Sequence, residues 1–350
     1  MAYDHDRAIQ RNVRFMSDPS IKGTMIRING FGKLNLPEVD ALETFDLSKD
    51  MSRYCSQVLE RFLRFRDAHD QFDDDWIPAL KPYLGIAEHT CFLGGEVSYG
   101  GNTSYHHPAI DDINDWKQLR ADINTPHYKA LLEGMAYFKE KSTVYGFYAS
   151  LRGGDGPMDI ANAVRGNDLL YDFYDEPETV EELMEFCVDA AEWNFKNQYP
   201  LASRVNGGYI SGMTTWMPVN SIGHLSEDAS CLCSPAMYER FGLPYTMKLL
   251  EPYDYALMHV HSLGRACLPL IAKMDKIGTY QLSSDPNQPE AIDVYKQYDY
   301  LFEKKVVMLD MTLKQIKDNL EFLKGRKTII NIETDSVYEA EMAIDLARSI

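Results

Sequence analysis

The sequence predicts an α/β fold, a (β/α)8 TIM barrel with an N-terminal helical extension. Three observations carry this expectation. Four strand-like runs follow one another in the second half of the chain, each succeeded by a helical stretch. Their ends recur about every two dozen residues, the length of one βα unit. Four further β-rich runs lie earlier and bring the total to the eight strands that a closed parallel barrel needs.

In chain order, KGTMIRING (Lys22 to Gly30) is the first strand candidate, and SRYCSQVLERFLRFRDAH (Ser52 to His69) is an amphipathic helix. EHTCFLGGEV (Glu88 to Val97), STVYGFYAS (Ser142 to Ser150) and GGYISGMTTW (Gly207 to Trp216) supply the next three strand candidates. DEPETVEELMEFCVDAAEWNF (Asp175 to Phe195) reads as helix. Pro177 stands at its start, and acids fill the first turn, where the helix dipole is positive. Its apolar residues Val180, Leu183, Met184, Cys187 and Val188 recur at helical spacing. SPAMYERFGLPYTMKLL opens with Ser234 as N-cap and Pro235 at the first helical position.

The four regular units follow. YALMHVHS ends at His259 and His261, and IGTYQLSSDP ends at Asp285. KKVVMLDM ends at Asp310, and RKTIINIETD ends near Asn331 and Glu333. We divide the chain into an N-terminal arm or helical extension, residues 1–72, and a barrel, residues 73–350. The division allows the barrel to take its first strand from the arm.

Composition narrows the function. The 350 residues are 45% hydrophobic, enough for a large core, and carry a formal net charge of −18. That sign repels phosphate backbones, so nucleic acid is not an expected partner. No run reaches the roughly 18–20 continuous apolar residues of a membrane helix, so no membrane association is expected. The polar start MAYDHDRAIQRN lacks the apolar stretch of a secretory signal, and a cytoplasmic location is the expectation. Six scattered cysteines are then expected to be reduced.

The chemistry is sought at the carboxyl ends of the strands, where barrels of this kind carry their functional groups. His259 and His261 are separated by one residue, so on a strand both imidazoles face the same way. Three readings are open. The pair holds a catalytic Zn²⁺ with one carboxylate, Glu333 first and Asp310 or Asp285 behind it, leaving a position for substrate. Alternatively the imidazoles clamp the carboxylates of an anionic substrate without metal, helped by Arg152 and Arg265. In the third reading, a backbone carbonyl satisfies His259 and only His261, or neither, is functional. Tyr99, Tyr148 and Trp216 are candidates for lining the pocket, with Asp285 and Asp310 as further substrate contacts. Plain packing explains the three aromatic residues equally well.

Several segments resemble the uroporphyrinogen decarboxylase superfamily. YGFYASLRGGDGPMDIANAVRGNDLLYDFYDEPETVEELM resembles that family's strand, Gly-Pro turn and following helices. HLSEDASCLCSPAMYERFGLPYTMKLL is similar to its "ED-x-S-x-L-x-SP" segment, and MHVHSLGR stands at its "H-x-C-G" segment. FLGGEVSYGG also fits, and the resemblance runs from about Asp73 to the C-terminus. It implies the (β/α)8 barrel already reached by counting strands.

Two chemistries follow from the resemblance. True decarboxylases work without metal and carry an "M-R-Q-A-G-R" motif for substrate carboxylates. Here Arg7, Arg11, Arg14 and Arg27 stand in other contexts, and the nearest acid to the decarboxylase aspartate is Glu96. The cobamide-dependent methyltransferase branch binds zinc through "His-x-Cys" and a C-terminal ligand. In this sequence His261 replaces the cysteine, and NIETD takes the place of the usual "G-C". The resemblance therefore implies a corrinoid-linked methyltransferase with Zn²⁺ on His259, His261 and Glu333. Its nitrogen and oxygen ligands suit an ether substrate better than a thiolate. The implied partners are a small methylated substrate and a corrinoid protein. An N-terminal arm supports subunit contacts, which makes a homodimer a further expectation. The alternative is a metal-free decarboxylase of a tetrapyrrole or other polycarboxylate. A non-enzymatic corrinoid- or tetrapyrrole-binding protein is the third class.

Overall fold

The computed structural model describes residues 4–350. Its parallel strands are Gly23–Phe31 (β1), Ala79–Leu80 (β2), Tyr148–Ala149 (β3), Gly154–Asp155 (β4), Ser221–Ser226 (β5), Tyr255–His261 (β6), Ile277–Ser283 (β7), Val306–Asp310 (β8) and Lys327–Thr334 (β9). Seven of them form one parallel sheet in the order β1-β9-β8-β7-β6-β5-β4. β2 and β3 form a separate short parallel pair.

The fold is thus parallel α/β and TIM-like, but its ladder is not continuous around a ring. One gap lies between β1 and β2. There the carboxylates of Asp75 and Asp74 accept the N–H groups of Ile26 (2.9 Å) and Ile28 (2.7 Å), work a strand would otherwise do. A single backbone bond, Asp75 N–H to Ile26 O at 2.8 Å, spans this gap. The other gap separates β3 from β4, and Leu151 N–H, between them in the chain, bonds Ile210 O at 2.9 Å outside the sheet.

The four regular units of the second half and the first strand form as the sequence predicts. Three earlier expectations are corrected. Ser142–Tyr145 continue the helix Pro126–Tyr145, which Gly146 ends in the left-handed conformation at φ 67°; only Tyr148–Ala149 remain as strand. Glu88–Val97 is mostly tight 3-10 turns, Ile86–His89 and Cys91–Leu93. Val97 begins the strand Val97–Gly100, which pairs antiparallel with Thr103–His106. Gly207–Trp216 falls in a small antiparallel ribbon of Arg204–Val205, Gly208–Ile210 and Trp216–Pro218. The sheet strand that follows is SIGHLS, Ser221–Ser226. All six of its residues are buried, so it lacks the in-out alternation that marks a half-exposed strand.

The main core packs helices against the outer face of the sheet, among them Leu47–His69, Pro126–Tyr145 and Pro177–Gln198. A second cluster lies toward the amino ends of the strands, where Met25, Leu257, Val306 and Ile329 meet Ile9, Phe15 and Met16 of helix His5–Ser17. Arg11 ties that helix down through Asp73 and Asp75. With this end plugged, the carboxyl ends of the strands are left to carry chemistry. No helix among the described residues is long and apolar enough to cross a membrane.

Candidate active site

Asp155 of β4, Ser226 of β5, His259 of β6 and Gln281 of β7 are direct neighbours across four adjacent strands. Residues in register on parallel strands project to the same face, so all four look toward one side at the carboxyl end. His261, two residues beyond His259, joins them. The two imidazoles meet at 3.0 Å between their Nε2 atoms.

Each ring is oriented from behind. His261 Nδ1 bonds Asp285 Oδ1 at 2.6 Å, and His259 Nδ1 bonds Gln281 Oε1. Asp285 is itself fixed by the Leu263 N–H (2.8 Å) and the Ser262 hydroxyl (3.1 Å). Acceptors on both Nδ1 atoms place a proton there and turn both Nε2 atoms toward the shared space.

Asp228 enters the same space from the turn after β5. Its carboxylate lies 3.4 Å from His261 Nε2 and 3.9 Å from His259 Nε2. The Ser226 hydroxyl donates to it at 2.8 Å. Asp159 accepts the backbone N–H groups of Asp228 (2.8 Å) and Ala229 (2.7 Å), which pins the turn. Burial works against the Asp228 anion, but the hydrogen bond from His261 and the charge of both imidazoles outweigh it and hold its pKa low. The bond to Asp228, with Asp285 behind, pushes His261 up to about 9.

Three electron-rich atoms therefore converge within 4.8 Å of one another. Without a metal the proton of His261 balances Asp228, and a divalent cation would displace it. A tetrahedral metal with bonds of about 2.0–2.1 Å sets its donors about 3.3 Å apart. The two nitrogens stand 3.0 Å apart, and the two oxygens of Asp228 lie 3.4 Å from His261 and 3.9 Å from His259, near that spacing. The donor set fits a divalent metal of the zinc type, with two imidazoles, one carboxylate and an open side.

The open side faces a cavity of about 780 Å³ that His259 and Asp228 help to line. Two more histidines line it. The His224 ring lies 5.9 Å from His259 and 6.1 Å from His89. Burial drives both of their pKa values well down, so they are neutral. His224 Nε2 and His89 Nδ1 are buried without a hydrogen-bond partner. Lys81 keeps part of its surface open to the cavity, and burial and then Arg152 push it down to about 7. Burial and the charge of Asp228 push Asp155 and Asp159 well up.

Of the residues expected from sequence, His259, His261 and Asp285 are brought together. Arg152 reaches the cavity, but its buried guanidinium pairs with Glu88 and stacks over Tyr83 at 5.5 Å. Glu333 does not join the histidines. It is exposed on β9, three strands from β6, and packs beside Gly30. The carboxylate at the imidazoles is Asp228. Asp310 accepts from Asn331 at 2.9 Å and with Glu333 lines a separate pocket of about 510 Å³. Tyr99 bonds His127 Nδ1 at 2.9 Å, and Tyr148 is half-buried in the amino-end cluster. Trp216 is also in that cluster and donates to Val205 O at 2.8 Å. None of these three aromatic residues lines the cavity.

Sequence reasoning missed Asp228, His224, Asp155 and Lys81. A signal existed for the first two, because HLSEDAS directly precedes the Ser234 cap. Reading SIGHLS as a strand would have put His224 on it and Asp228 just past its end.

No family model matches the chain, and no curated protein matches it. Among solved structures it is similar to a methyltransferase from Methanosarcina mazei. The TM-score is 0.60 over 97% of each chain, at 11% identity. At that identity the likeness is one of fold.

Proposed function

We propose that this chain is a zinc-dependent methyltransferase. It would move a methyl group between a small methylated substrate, an ether or similar, and a corrinoid carried by a partner protein. The observation that carries the reading is the convergence of Asp228, His259 and His261 at the wall of a cavity of about 780 Å³. The structural neighbour that bears the name methyltransferase agrees with it. The reading takes the fold as a (β/α)8 barrel whose hydrogen-bonded ladder is interrupted between β1 and β2 and between β3 and β4.

In this proposal the Nε2 atoms of His259 and His261 and the carboxylate of Asp228 hold the metal. Bound there, zinc supplies a Lewis acid that stabilises negative charge on a departing oxygen. Asp285 and Gln281 keep the imidazoles in the ligating tautomer. The nitrogen and oxygen donor set favours an oxygen substrate over a thiolate. The alternative, a metal-free decarboxylase of a polycarboxylate, gains little from the cavity. Arg152 is already engaged by Glu88, and the Asp228 anion on the wall would repel a polyanion.

The test pairs elemental mass spectrometry of the purified protein with a transfer assay. The assay follows the visible spectrum of cob(I)alamin as it takes a methyl group from a methoxyarene. About one zinc per chain with methyl transfer supports the proposal. A chain that takes up no metal when zinc is supplied, and transfers no methyl group, overturns it.

A further inference from the structure

Demethylation of an ether leaves an oxygen that must acquire a proton, and the metal triad has none to give. We propose that Asp155 is the general acid of the reaction: its carboxyl proton passes to the leaving oxygen as the methyl carbon–oxygen bond breaks. This rests on the methyl-transfer reading above and adds a catalytic residue to it.

Geometry nominates Asp155 first. It stands in the same register row as His259, one strand beyond Ser226, and projects to the same face. Two strand spacings put its backbone about 10 Å from that of His259, room for a substrate oxygen between the two side chains. Asp155 lines the same cavity as His259 and Asp228. Its carboxylate has no hydrogen-bond partner among the described residues; His89 Nδ1 lies 3.9 Å away, itself without one. The adjacent Arg152 pairs with Glu88, and its charge on Asp155 is outweighed by burial and by Asp228.

The other groups on the wall are less fitted to the task. Asp159 is held by two backbone N–H groups and positions Asp228. His89 and His224 are buried neutral. Burial and the neighbouring Asp228 push the Asp155 carboxyl well up, toward the protonated state a general acid needs.

The step balances. The C–O bond breaks with its electron pair left on oxygen, and that oxygen takes the proton of Asp155 to become R–OH. The methyl carbon is bonded by the electron pair of the acceptor, a Co(I) corrinoid. Asp155 is left as carboxylate and regains its proton from solvent through the open cavity.

Two ethers discriminate this role from a structural one, because nitrophenolate departs without help while unsubstituted phenolate gains from protonation. Wild type and D155N are compared with methoxybenzene and 4-nitromethoxybenzene as donors and cob(I)alamin as acceptor. D155N is expected to lower kcat/KM about 100-fold or more for methoxybenzene but less than about threefold for the nitro ether. Zinc content and thermal midpoint should match wild type, and Asp155→Glu should recover about a tenth or more of the lost rate. An equal fall for both ethers, or none for methoxybenzene, overturns the role of Asp155 and leaves methyl transfer standing. If the wild type methylates cob(I)alamin from neither ether, the proposal falls together with the reading it rests on.

Discussion

The carboxyl edge of the parallel sheet forms a mouth with two halves built from the same kind of position, and only one of them looks reactive. On β8, β9 and β1 the strand ends carry Asp310, Asn331, Glu333 and Asn29. There the polar groups answer one another or face water: Asn331 donates to Asp310 at 2.9 Å, and Glu333 is exposed. On β4 to β7 the ends carry Asp155, Ser226, His259 and Gln281, with Asp228 and His261 just beyond. In this half three electron-rich atoms face each other, and two buried imidazole nitrogens bond nothing. A strand end puts a polar residue at the mouth. Leaving it unsatisfied there is what stores reactivity, since a buried polar group without a partner costs free energy that only a ligand, proton or ion returns.

The largest effect should separate the halves outright. Asp228→Ala, His259→Ala and His261→Ala are each expected to take bound zinc from about one per chain to near zero, and to lower methyl transfer by about 1,000-fold or more. Glu333→Ala and Asp310→Ala should keep the wild-type metal content. Loss of zinc in Glu333→Ala, with retention in Asp228→Ala, would reverse the assignment of the halves.

This contrast also marks what the sequence could tell. The regular half was the legible one. β6 to β9 recur at even spacing with polar ends, and His259 and His261 stand out on β6 as an i, i+2 pair. That regularity pulled attention to Glu333 and Asp310, acids at the same kind of position. The third donor instead follows β5, a fully buried strand with histidine, serine and glycine in it, which neither alternates nor looks apolar. Asp155 sits on a two-residue strand after Gly153, whose φ of 88° turns the chain. β2 is equally short, and such elements carry too few residues to show a period. Distance along the chain concealed the rest: Glu88 meets Arg152, and Lys81 meets the histidines, only through the fold.

The quieter half should respond in stability rather than in metal. Arg27 of β1 is fully buried. It donates to Met213 O (2.6 Å) and to the hydroxyls of Thr214 and Thr215 (both 2.8 Å). Burial lowers its pKa to about 10 while Asp75, Asp310 and Asp74 oppose the shift, so it remains charged at neutral pH. Arg27→Ala strands these acceptors and removes a charge that the acids rely on. We expect a loss of about 3 kcal/mol in urea unfolding, with zinc per folded chain unchanged. A fall in zinc stoichiometry in the folded variant would show that the two halves are coupled through the barrel interior.

Within the reactive half, Asp285 orients a ligand without being one. Asp285→Asn keeps the shape but weakens the acceptor at His261 Nδ1. It should reduce zinc affinity about 10- to 100-fold, read by competition with a chromogenic chelator, and leave the stoichiometry at saturating metal intact. An effect as large as that of His261→Ala would make Asp285 a ligand in its own right.

The smallest effect concerns Lys81, and pH exposes it. Its ordinary pKa of 10.5 falls to about 7 in the cavity, because burial disfavours the ammonium and Arg152 repels it. Between those two pH values the unfolded chain holds this proton and the folded chain does not. Raising the pH therefore favours folding, and the penalty is fully present only below about 7, where both states are charged. Lys81→Met removes the group from both states. The variant should be more stable than wild type at pH 6.5 by about 1 kcal/mol, an amount kept modest because part of the side chain meets water. The advantage should shrink steadily toward pH 10. Urea midpoints for the two proteins across that range give the difference directly, with the other titrating groups cancelling between them. Parallel pH profiles would mean that Lys81 is charged in the folded cavity. The reactive half would then hold a cation beside its acids, and its polar groups would be as well satisfied as those across the mouth.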